Sequence, residues 1–462
     1  MNVGKMNREE KVEYMTTTPI PRLVCSMAIP TIISMLITSF YNMADTFFVG
    51  KISTQATGAV GVVFSVMALI QACGFFYGHG SGSYISRGLG SGDFEKAEGM
   101  AANGVFLSFG TGILLGTLGL LFLDPISRVL GSTETILPLT KDYLRFILLG
   151  TPFTMTSFVL NNQLRFQGSA SFSMIGIVTG AIINLILDPI FIFVLDLQVA
   201  GAALATTCSQ IISFSILLFM THRSGNIRIR ISKFKLKWEY FYEIFRGGIP
   251  SLCRQGLASV AQVSLNRAAG YYGELAGPGM GDAAIAAMSI VNRVSMFANS
   301  VLIGFGQGFQ PVCGINYGAK LYERVRKAFF FCIKVGFVFL ILISVFGFVF
   351  AEPIVATFRK ADPMVIEIGT LTMRIHWLIF PLNVFVVMGN MMMQSIGKAF
   401  RATLLAAARQ GLFFLPFIYI LPTFLGLFGV QVCQSVADVC AFVLSLPLTI
   451  SVVREMKRKQ TA

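Results

Sequence analysis

The sequence predicts an all-α polytopic membrane protein whose twelve transmembrane helices form two six-helix lobes related by a parallel internal repeat. Three observations support this prediction: long apolar runs, a one-sided distribution of basic residues, and a glycine pattern that occurs twice. The chain is 55% hydrophobic and only 13% charged, whereas soluble domains carry about 25% charged residues. A water-soluble chain of 462 residues could not bury that much apolar surface.

The apolar runs are too long for β-strands. Only α-helices and closed barrels satisfy their backbone groups in lipid, and a barrel would show segments of about 10 residues that alternate apolar with polar. The runs here do not alternate and approach the ~20 residues of a spanning helix. Residues 1–19 are polar, and the run after them is too long for a signal-peptide core, so it is predicted as helix 1. The predicted helices 1 to 12 cover residues 22–46, 56–80, 99–123, 141–163, 171–195, 200–221, 242–270, 284–310, 327–350, 367–393, 403–424 and 429–452.

The basic residues indicate the orientation. An even number of helices places both termini on one side, and with the termini inside, 24 of the 36 Lys and Arg residues fall in inner segments and four in outer loops. Inner loops of membrane proteins carry this excess. We therefore expect a multi-pass protein of the cell inner (plasma) membrane with both termini cytoplasmic. Since the basic residues lie between apolar runs, the net charge of +14 does not indicate a nucleic-acid partner.

The longest polar break, at residues 222–241, divides the chain. We expect an N-lobe at 1–221 (helices 1–6), a basic cytoplasmic linker at 222–241 and a C-lobe at 242–462 (helices 7–12). A repeat supports this division, because five glycines recur with one offset of 226 residues. They are Gly78, Gly80, Gly82, Gly88 and Gly92, followed by Gly304, Gly306, Gly308, Gly314 and Gly318. Parallel repeats pack around an axis along the membrane normal, which predicts a cleft between the lobes.

Three acids, Asp45, Asp188 and Asp438, lie well inside predicted helices, where an ionised group costs about 2.5–3.5 kcal/mol on insertion scales. Asn184 precedes Asp188 by four residues and shares its helix face. Asp45, Asp188, Asn184 and Thr206 all fall at a similar depth toward the outer side. Carboxylate, amide and hydroxyl oxygens suit a hard cation or a proton, so these four residues predict a cation-coupling site, with H⁺ and Na⁺ both open.

The repeat strengthens this prediction. At the repeat offsets Asp45 aligns with Leu265 and Asp188 with Leu415, so the second half keeps the scaffold without the acids. A carboxylate needed only for folding would be expected in both halves. The alternative is a structural role, as a cap or as a partner of Arg145.

The second half instead carries Asp438 in helix 12 and four arginines within its helices. We expect internal ion pairs among these groups, and the alternative is that they line the cleft. The arginines are Arg254, Arg293, Arg374 and Arg409. Candidate cleft residues are polar side chains within helices and a member of the Met391–Met393 run, since thioethers suit promiscuous ligands. They are Gln71, Asn161, Gln163, Gln255, Asn292 and Met391.

Motifs of other function classes are absent from the sequence. It has no G-x-x-x-x-G-K-[ST] phosphate loop, no H-E-x-x-H, no G-x-S-x-G and no Cys-x-x-Cys, and its three histidines are far apart. We therefore expect no enzyme activity, no cofactor other than a coupling ion and no structural metal. A secondary transporter, expected to be monomeric in the lipid bilayer, is the remaining interpretation.

Two stretches resemble the multidrug and toxic compound extrusion (MATE) family, closest to its MepA-like bacterial branch. They are YNMADTFFVG at 41–50 and NLILDPIF at 184–191. The resemblance implies export of cationic, often aromatic drugs in exchange for H⁺ or Na⁺. It also implies a coupling site made by Asp45, Asn184, Asp188 and Thr206. Some sodium-coupled relatives carry a glutamate in helix 7, but this chain has no acid between Ile249 and Gly273.

Two other function classes stay open at this point. A flippase for lipid-linked precursors or an exporter of polysaccharides would use the same architecture, and the second-half arginines would suit its anionic ligand. An integral membrane enzyme would need clustered histidines or carboxylates at one interface, which the spacing does not provide.

Overall fold

The computed structural model describes residues 6–223, 225–358 and 362–461, and this part of the chain is helical without strands. The helices are α1 Arg8–Thr17, α2 Ile20–Gly50, α3 Thr54–Ser91, α4 Phe94–Leu121, α5 Leu123–Val129, α6 Leu137–Phe166, α7 Ala170–Pro189, α8 Gln198–Thr221, α9 Trp238–Ala276, α10 Met280–Gly318, α11 Tyr322–Val349, α12 Ala351–Phe358, α13 Pro363–Ile379, α14 Asn383–Ser395, α15 Ala399–Ala407, α16 Phe414–Leu425 and α17 Leu427–Thr461. We call α2–α8 the first half and α9–α17 the second half.

Eleven helical segments within the described residues are long and apolar enough to cross a membrane. The remaining predicted span corresponds to α9, which has 39 residues but includes the charged Arg254 and Arg267. Two spans are composite: α13 and α14 are joined by the 3₁₀ turn Phe380–Leu382, and α15 and α16 by the π turn Ala408–Phe413. The predicted all-α polytopic fold is confirmed.

The helices extend beyond the apolar runs. For example, α9 begins at Trp238 rather than at 242, so the last residues of the predicted linker are helical. The helix α1 is polar, so the apolar runs did not predict it. A capping box stabilises its start: the Asn7 side chain accepts from Glu10 N at 2.8 Å, and the Glu10 carboxylate accepts from Asn7 N at 2.9 Å.

On one side α1 is bound to the first half and the segment that follows it. Lys11 Nζ donates to Ser169 Oγ and to Asn226 Oδ1, both at 2.7 Å. Arg8 forms an ion pair with Glu98 on α4 at 2.6 Å. Lys11 is only 2% exposed, so it is anchored rather than solvated.

On its other side α1 is bound to the second half. Asn316 on α10 donates from Nδ2 to the Met15 carbonyl at 3.1 Å. Arg324 on α11 donates from Nη2 to the carbonyl of Thr18, directly after α1, at 2.6 Å. The helix α1 therefore connects the two halves at the end of the molecule that carries both termini.

The internal repeat is visible in side-chain contacts. Asn161 on α6 donates from Nδ2 to the Ser173 carbonyl at 3.1 Å. At the matched positions, 229 residues later, Asn390 on α14 donates from Nδ2 to the Ala402 carbonyl at 2.6 Å. The same amide therefore ties one helix to the next in each half.

The turns that follow these helices also match. Gly168 and Gly397 both have φ +80°, in the left-handed region where glycine avoids the steric cost of a Cβ. The sequence offset between them is again 229 residues, which explains why glycine occupies both positions.

Glycines of the repeated pattern allow the halves to pack closely at the terminal end. A Cβ on Gly80 of α3 would collide with the Ile244 carbonyl of α9, and a Cβ on Gly304 of α10 would lie 2.7 Å from Ile32 Cα of α2. Toward the opposite end, Phe64 on α3 is 60% exposed. The halves are thus packed tightly at the terminal end.

Candidate cation-coupling site and adjoining cavity

The helix α2 places Asp45 near its end, in a largely buried position. The residue is 8% exposed, and its Oδ1 atom has no hydrogen-bond partner among the described residues. An unpaired carboxylate oxygen away from water is costly unless a proton or a cation compensates it.

The helices α7 and α8 bring Asn184, Asp188 and Thr206 together. The Asn184 amide is best satisfied when its nitrogen donates to Asp188 Oδ2 at 3.0 Å and its oxygen accepts from Thr206 N at 3.3 Å. The reverse orientation would set the amide oxygen against carboxylate oxygens. All three residues are at most 5% exposed, so the side chains predicted to share this depth do meet.

The carboxylates of Asp45 and Asp188 are near enough for the charge of one to act on the other. The phenol groups of Tyr41 on α2 and Tyr143 on α6 lie beside Thr206. Tyr41 precedes Asp45 by one helical turn, a spacing that could have revealed it. Nothing in the sequence pattern singles out Tyr143.

A structural pairing of these acids with Arg145 is not observed. Arg145 is exposed, and among the described residues neither Asp45 nor Asp188 belongs to an ion pair. The site therefore contains two buried carboxylates, an amide and a hydroxyl without a cationic side chain. Chemically, this arrangement can take up a proton or a hard cation.

A cavity adjoins the site within the first half. It encloses about 1040 Å³ of space, including the open solvent at its mouth. Tyr41 and Thr206 belong to both the cavity wall and the carboxylate site. Other lining residues are Thr38, Asn42, Phe64, Met67, Gln71, Phe158 and Gln210.

Of the predicted cleft residues, the structure places Gln71 in the wall of this cavity. Asn161 is bonded to Ser173 as described above, and Gln163 Nε2 donates to Ser81 Oγ at 3.0 Å. Both residues therefore serve contacts between helices of the first half rather than lining this cavity.

The other three predicted cleft residues lie in the second half. Met391 is 1% exposed and packs against Gly306. Asn292 Nδ2 donates to Gln262 Oε1 at 2.9 Å, and Gln255 is partly exposed. None of the three lines the first-half cavity, and their role in solute binding stays a prediction.

The expectation of an internal ion pair is confirmed for Asp438. Arg409 Nε donates to Asp438 Oδ1 at 2.7 Å. Asn383 Nδ2 donates to Oδ2 at 2.9 Å, and Gln434 Nε2 donates to Oδ1 at 2.7 Å. This acid is fully compensated.

The other three arginines make no ion pair with a described residue. Arg374 lies over the Phe348 ring, 5.8 Å from its centroid, and Arg293 is exposed. Arg254 donates from Nη1 to Asn390 Oδ1 at 3.3 Å.

Eleven described segments that are long and apolar enough to cross a membrane, matched side-chain contacts in the two halves and two buried carboxylates beside a cavity indicate the class: a multi-pass membrane transporter. The family model described as MatE matches residues 30–190 and 275–420. It matches each half once, and together the two segments make up more than half of the chain. The chain belongs to the MatE family.

Curated relatives agree with this assignment. The multidrug export protein MepA of Staphylococcus aureus (strain NCTC 8325 / PS 47) is 28% identical over 445 residues, covering 95% of this chain and 96% of the relative. The protein of the same name from Staphylococcus haemolyticus is 28% identical over 438 residues, covering 94% of each.

Solved structures are similar over nearly the whole length. An outward-facing multidrug resistance MATE family transporter superposes with a TM-score of 0.90 and 26% identity, covering 97% of this chain and 99% of that one. A MOP superfamily transporter from Pyrococcus furiosus gives a TM-score of 0.89 and 26% identity, covering 96% and 98%.

Proposed function

We propose that this transporter exports organic cations and aromatic drugs by antiport with H⁺ or Na⁺. The observation that carries the proposal is the pair of buried carboxylates, Asp45 and Asp188, which have no cationic partner in the described part of the chain and lie beside an open cavity. Asn184 and Thr206 complete the coupling site. No other cofactor is needed, and a monomer contains every residue of the site.

The position of Tyr41 and Thr206 links the ion to the solute. Both residues contact the carboxylate site and line the cavity, so uptake of an ion at Asp188 changes the charge and packing of the cavity wall. Antiport requires that ion and solute favour different conformations. Because the ion site and the cavity share this wall, binding of the ion acts directly on the surface that binds the solute.

The cavity chemistry and the relatives support the solute class. Phe64, Met67 and Phe158 offer aromatic and thioether surface, which adapts to varied apolar ligands. The staphylococcal relatives are named multidrug export proteins. The bias of basic residues supports the plasma membrane orientation with both termini in the cytoplasm.

The test is efflux of a fluorescent organic cation from proteoliposomes, with a proton or a sodium gradient imposed separately. We expect wild-type efflux to follow one of the two gradients, and Asp45→Asn and Asp188→Asn to reduce it to the rate of empty vesicles. Asp142→Asn, an exposed acid on α6, is the matched control and should retain full activity. Gradient-driven efflux in Asp188→Asn would remove this site from the mechanism.

A flippase for lipid-linked precursors is the second candidate, favoured by the three arginines of the second half that lack ion-pair partners. Ligands that bind only the folded state raise the melting temperature. Stabilisation by a lipid pyrophosphate but not by a hydrophobic cation, with no response to either gradient, would favour this candidate over the antiporter.

A further inference from the structure

A buried arginine lies where the two halves meet. Arg165, near the end of α6, is 1% exposed. Its Nη2 atom donates to Asn162 Oδ1 at 2.5 Å and, across the junction, to Gln310 Oε1 on α10 at 3.4 Å. Its position in the sequence predicted an inner loop, but the structure places it in the protein interior.

The neighbouring histidine brings no compensating charge. His79 on α3 is fully buried, and its Nδ1 atom is 3.2 Å from the Phe75 carbonyl, so Nδ1 carries a proton. Its Nε2 atom is 3.3 Å from Arg165 Nη2 and acts as an acceptor, because two N–H groups cannot face each other favourably. The ring is therefore neutral.

A second cation approaches Arg165 from the other half. Arg254 on α9 reaches the same junction: Gln310, which Arg165 contacts, donates from Nε2 to Gln394 Oε1 at 3.3 Å, and Arg254 donates to Asn390, one helical turn before Gln394 on α14. Among the described residues neither arginine has a carboxylate partner. The Nε and Nη1 atoms of Arg165 have no hydrogen-bond partner either. Two like charges in a medium of low dielectric constant repel each other, and an uncompensated buried charge is strongly destabilising. By contrast, Arg409 has its own carboxylate.

We propose that Arg165 and Arg254 form a binding site for one anionic group, a carboxylate or a phosphate, at the junction of the two halves. Guanidinium groups are the side chains best suited to bind such oxyanions. Arg254 is partly exposed and receives the anion, while the unpartnered donors of Arg165 hold it from the interior side. The site goes beyond the proposed antiport, whose coupling residues lie elsewhere.

The anion comes either from a soluble ion or from a lipid headgroup, and two probes distinguish these sources. The melting temperature of the purified full chain in neutral detergent is measured against inorganic phosphate, and separately against phosphatidylglycerol added to the micelles. We expect a saturable rise in melting temperature with at least one probe, and the effective probe identifies the source of the anion.

Arg254→Gln should weaken the apparent affinity for that probe about tenfold or more, which corresponds to the loss of one charge-assisted hydrogen bond. Arg145→Gln, the matched control at an exposed position on α6, should respond like the wild type.

A second variant keeps the test independent of folding defects in the arginine variants. Gln310→Glu places a carboxylate at the atom that Arg165 already contacts. We expect it to melt at a higher temperature than the wild type without added anion, and to lose the response to either probe. An absent response in the wild type, an equal response in Arg254→Gln, or a lower melting temperature in Gln310→Glu would each overturn the proposal.

Discussion

Buried carboxylates have opposite surroundings in the two halves of the molecule. In the second half, Asp438 is held by Arg409, Asn383 and Gln434. In the first half, Asp45 and Asp188 are buried and have no cationic partner among the described residues, where one oxygen of Asp45 also lacks a hydrogen-bond partner. Burial is similar in the two places, so the difference lies in the partners. A carboxylate with a complete set of partners stabilises the fold, whereas one without them is available to an ion.

The largest expected effect tests the second half. Asp438→Asn leaves the partly buried Arg409 guanidinium, 19% exposed, without its carboxylate, and breaking a fully buried pair costs about 3–5 kcal/mol. We expect a clear drop in melting temperature in detergent. An unchanged melting temperature would show that Asp438 does not stabilise the second half. It would contradict the proposed difference between the carboxylates of the two halves.

The opposite result is expected in the first half. Asp188→Asn removes one of two neighbouring buried carboxylates and keeps the side-chain shape, so the melting temperature should stay the same or rise, by an amount on the order of 1 kcal/mol in stability. The same unfolding assay measures it, with Asp142→Asn as the control. A loss comparable with that of Asp438→Asn would indicate a structural role for Asp188.

The contact between the halves provides an intermediate effect. Gly80→Ala adds a methyl group against the Ile244 carbonyl, and overpacking of this kind costs about 1–3 kcal/mol. We expect the terminal end to open more often, which increases maleimide labelling of Ser83→Cys, a residue 1% exposed in the wild type, in a background without native cysteines. A Cβ on Gly88 would lie 3.4 Å from Ala97 Cβ and 3.5 Å from the Asp93 carbonyl oxygen, so Gly88→Ala should leave labelling unchanged.

A small effect tests a place where the two halves should agree. Gly168→Ala and Gly397→Ala each force an alanine to φ +80°, at a cost of about 1 kcal/mol. We expect similar small decreases in melting temperature for the two variants. A large difference between the two decreases would show that the matched turns contribute unequally to the stability of the fold.

The fold was predictable because lipid leaves a chain few choices, and long apolar runs indicate helices directly. The helix α1 was not predictable in this way, because it is polar and its position depends on bonds from Lys11, Asn316 and Arg324 to distant parts of the chain. Long-range contacts of this kind leave no periodic pattern in the sequence.

The candidate site was predictable to a similar degree. The depth of Asp45 and Asp188 and the four-residue spacing from Asn184 were sufficient to group them. The cleft residues were not, because a polar side chain inside a helix looks the same in sequence whether it binds a solute or a backbone carbonyl. Asn161 is of the second kind. Arg165 shows the same difficulty, since a basic residue at a helix end reads as a loop residue.

The bridging position of α1 has a kinetic consequence. Any movement that parts the halves at the terminal end must break either its bonds to Ser169, Asn226 and Glu98 or its bonds to Asn316 and Arg324. These bonds must be lost together before the new state is reached. Because these bonds are present in the described state and lost on opening, the helix favours the described state and slows the opening step.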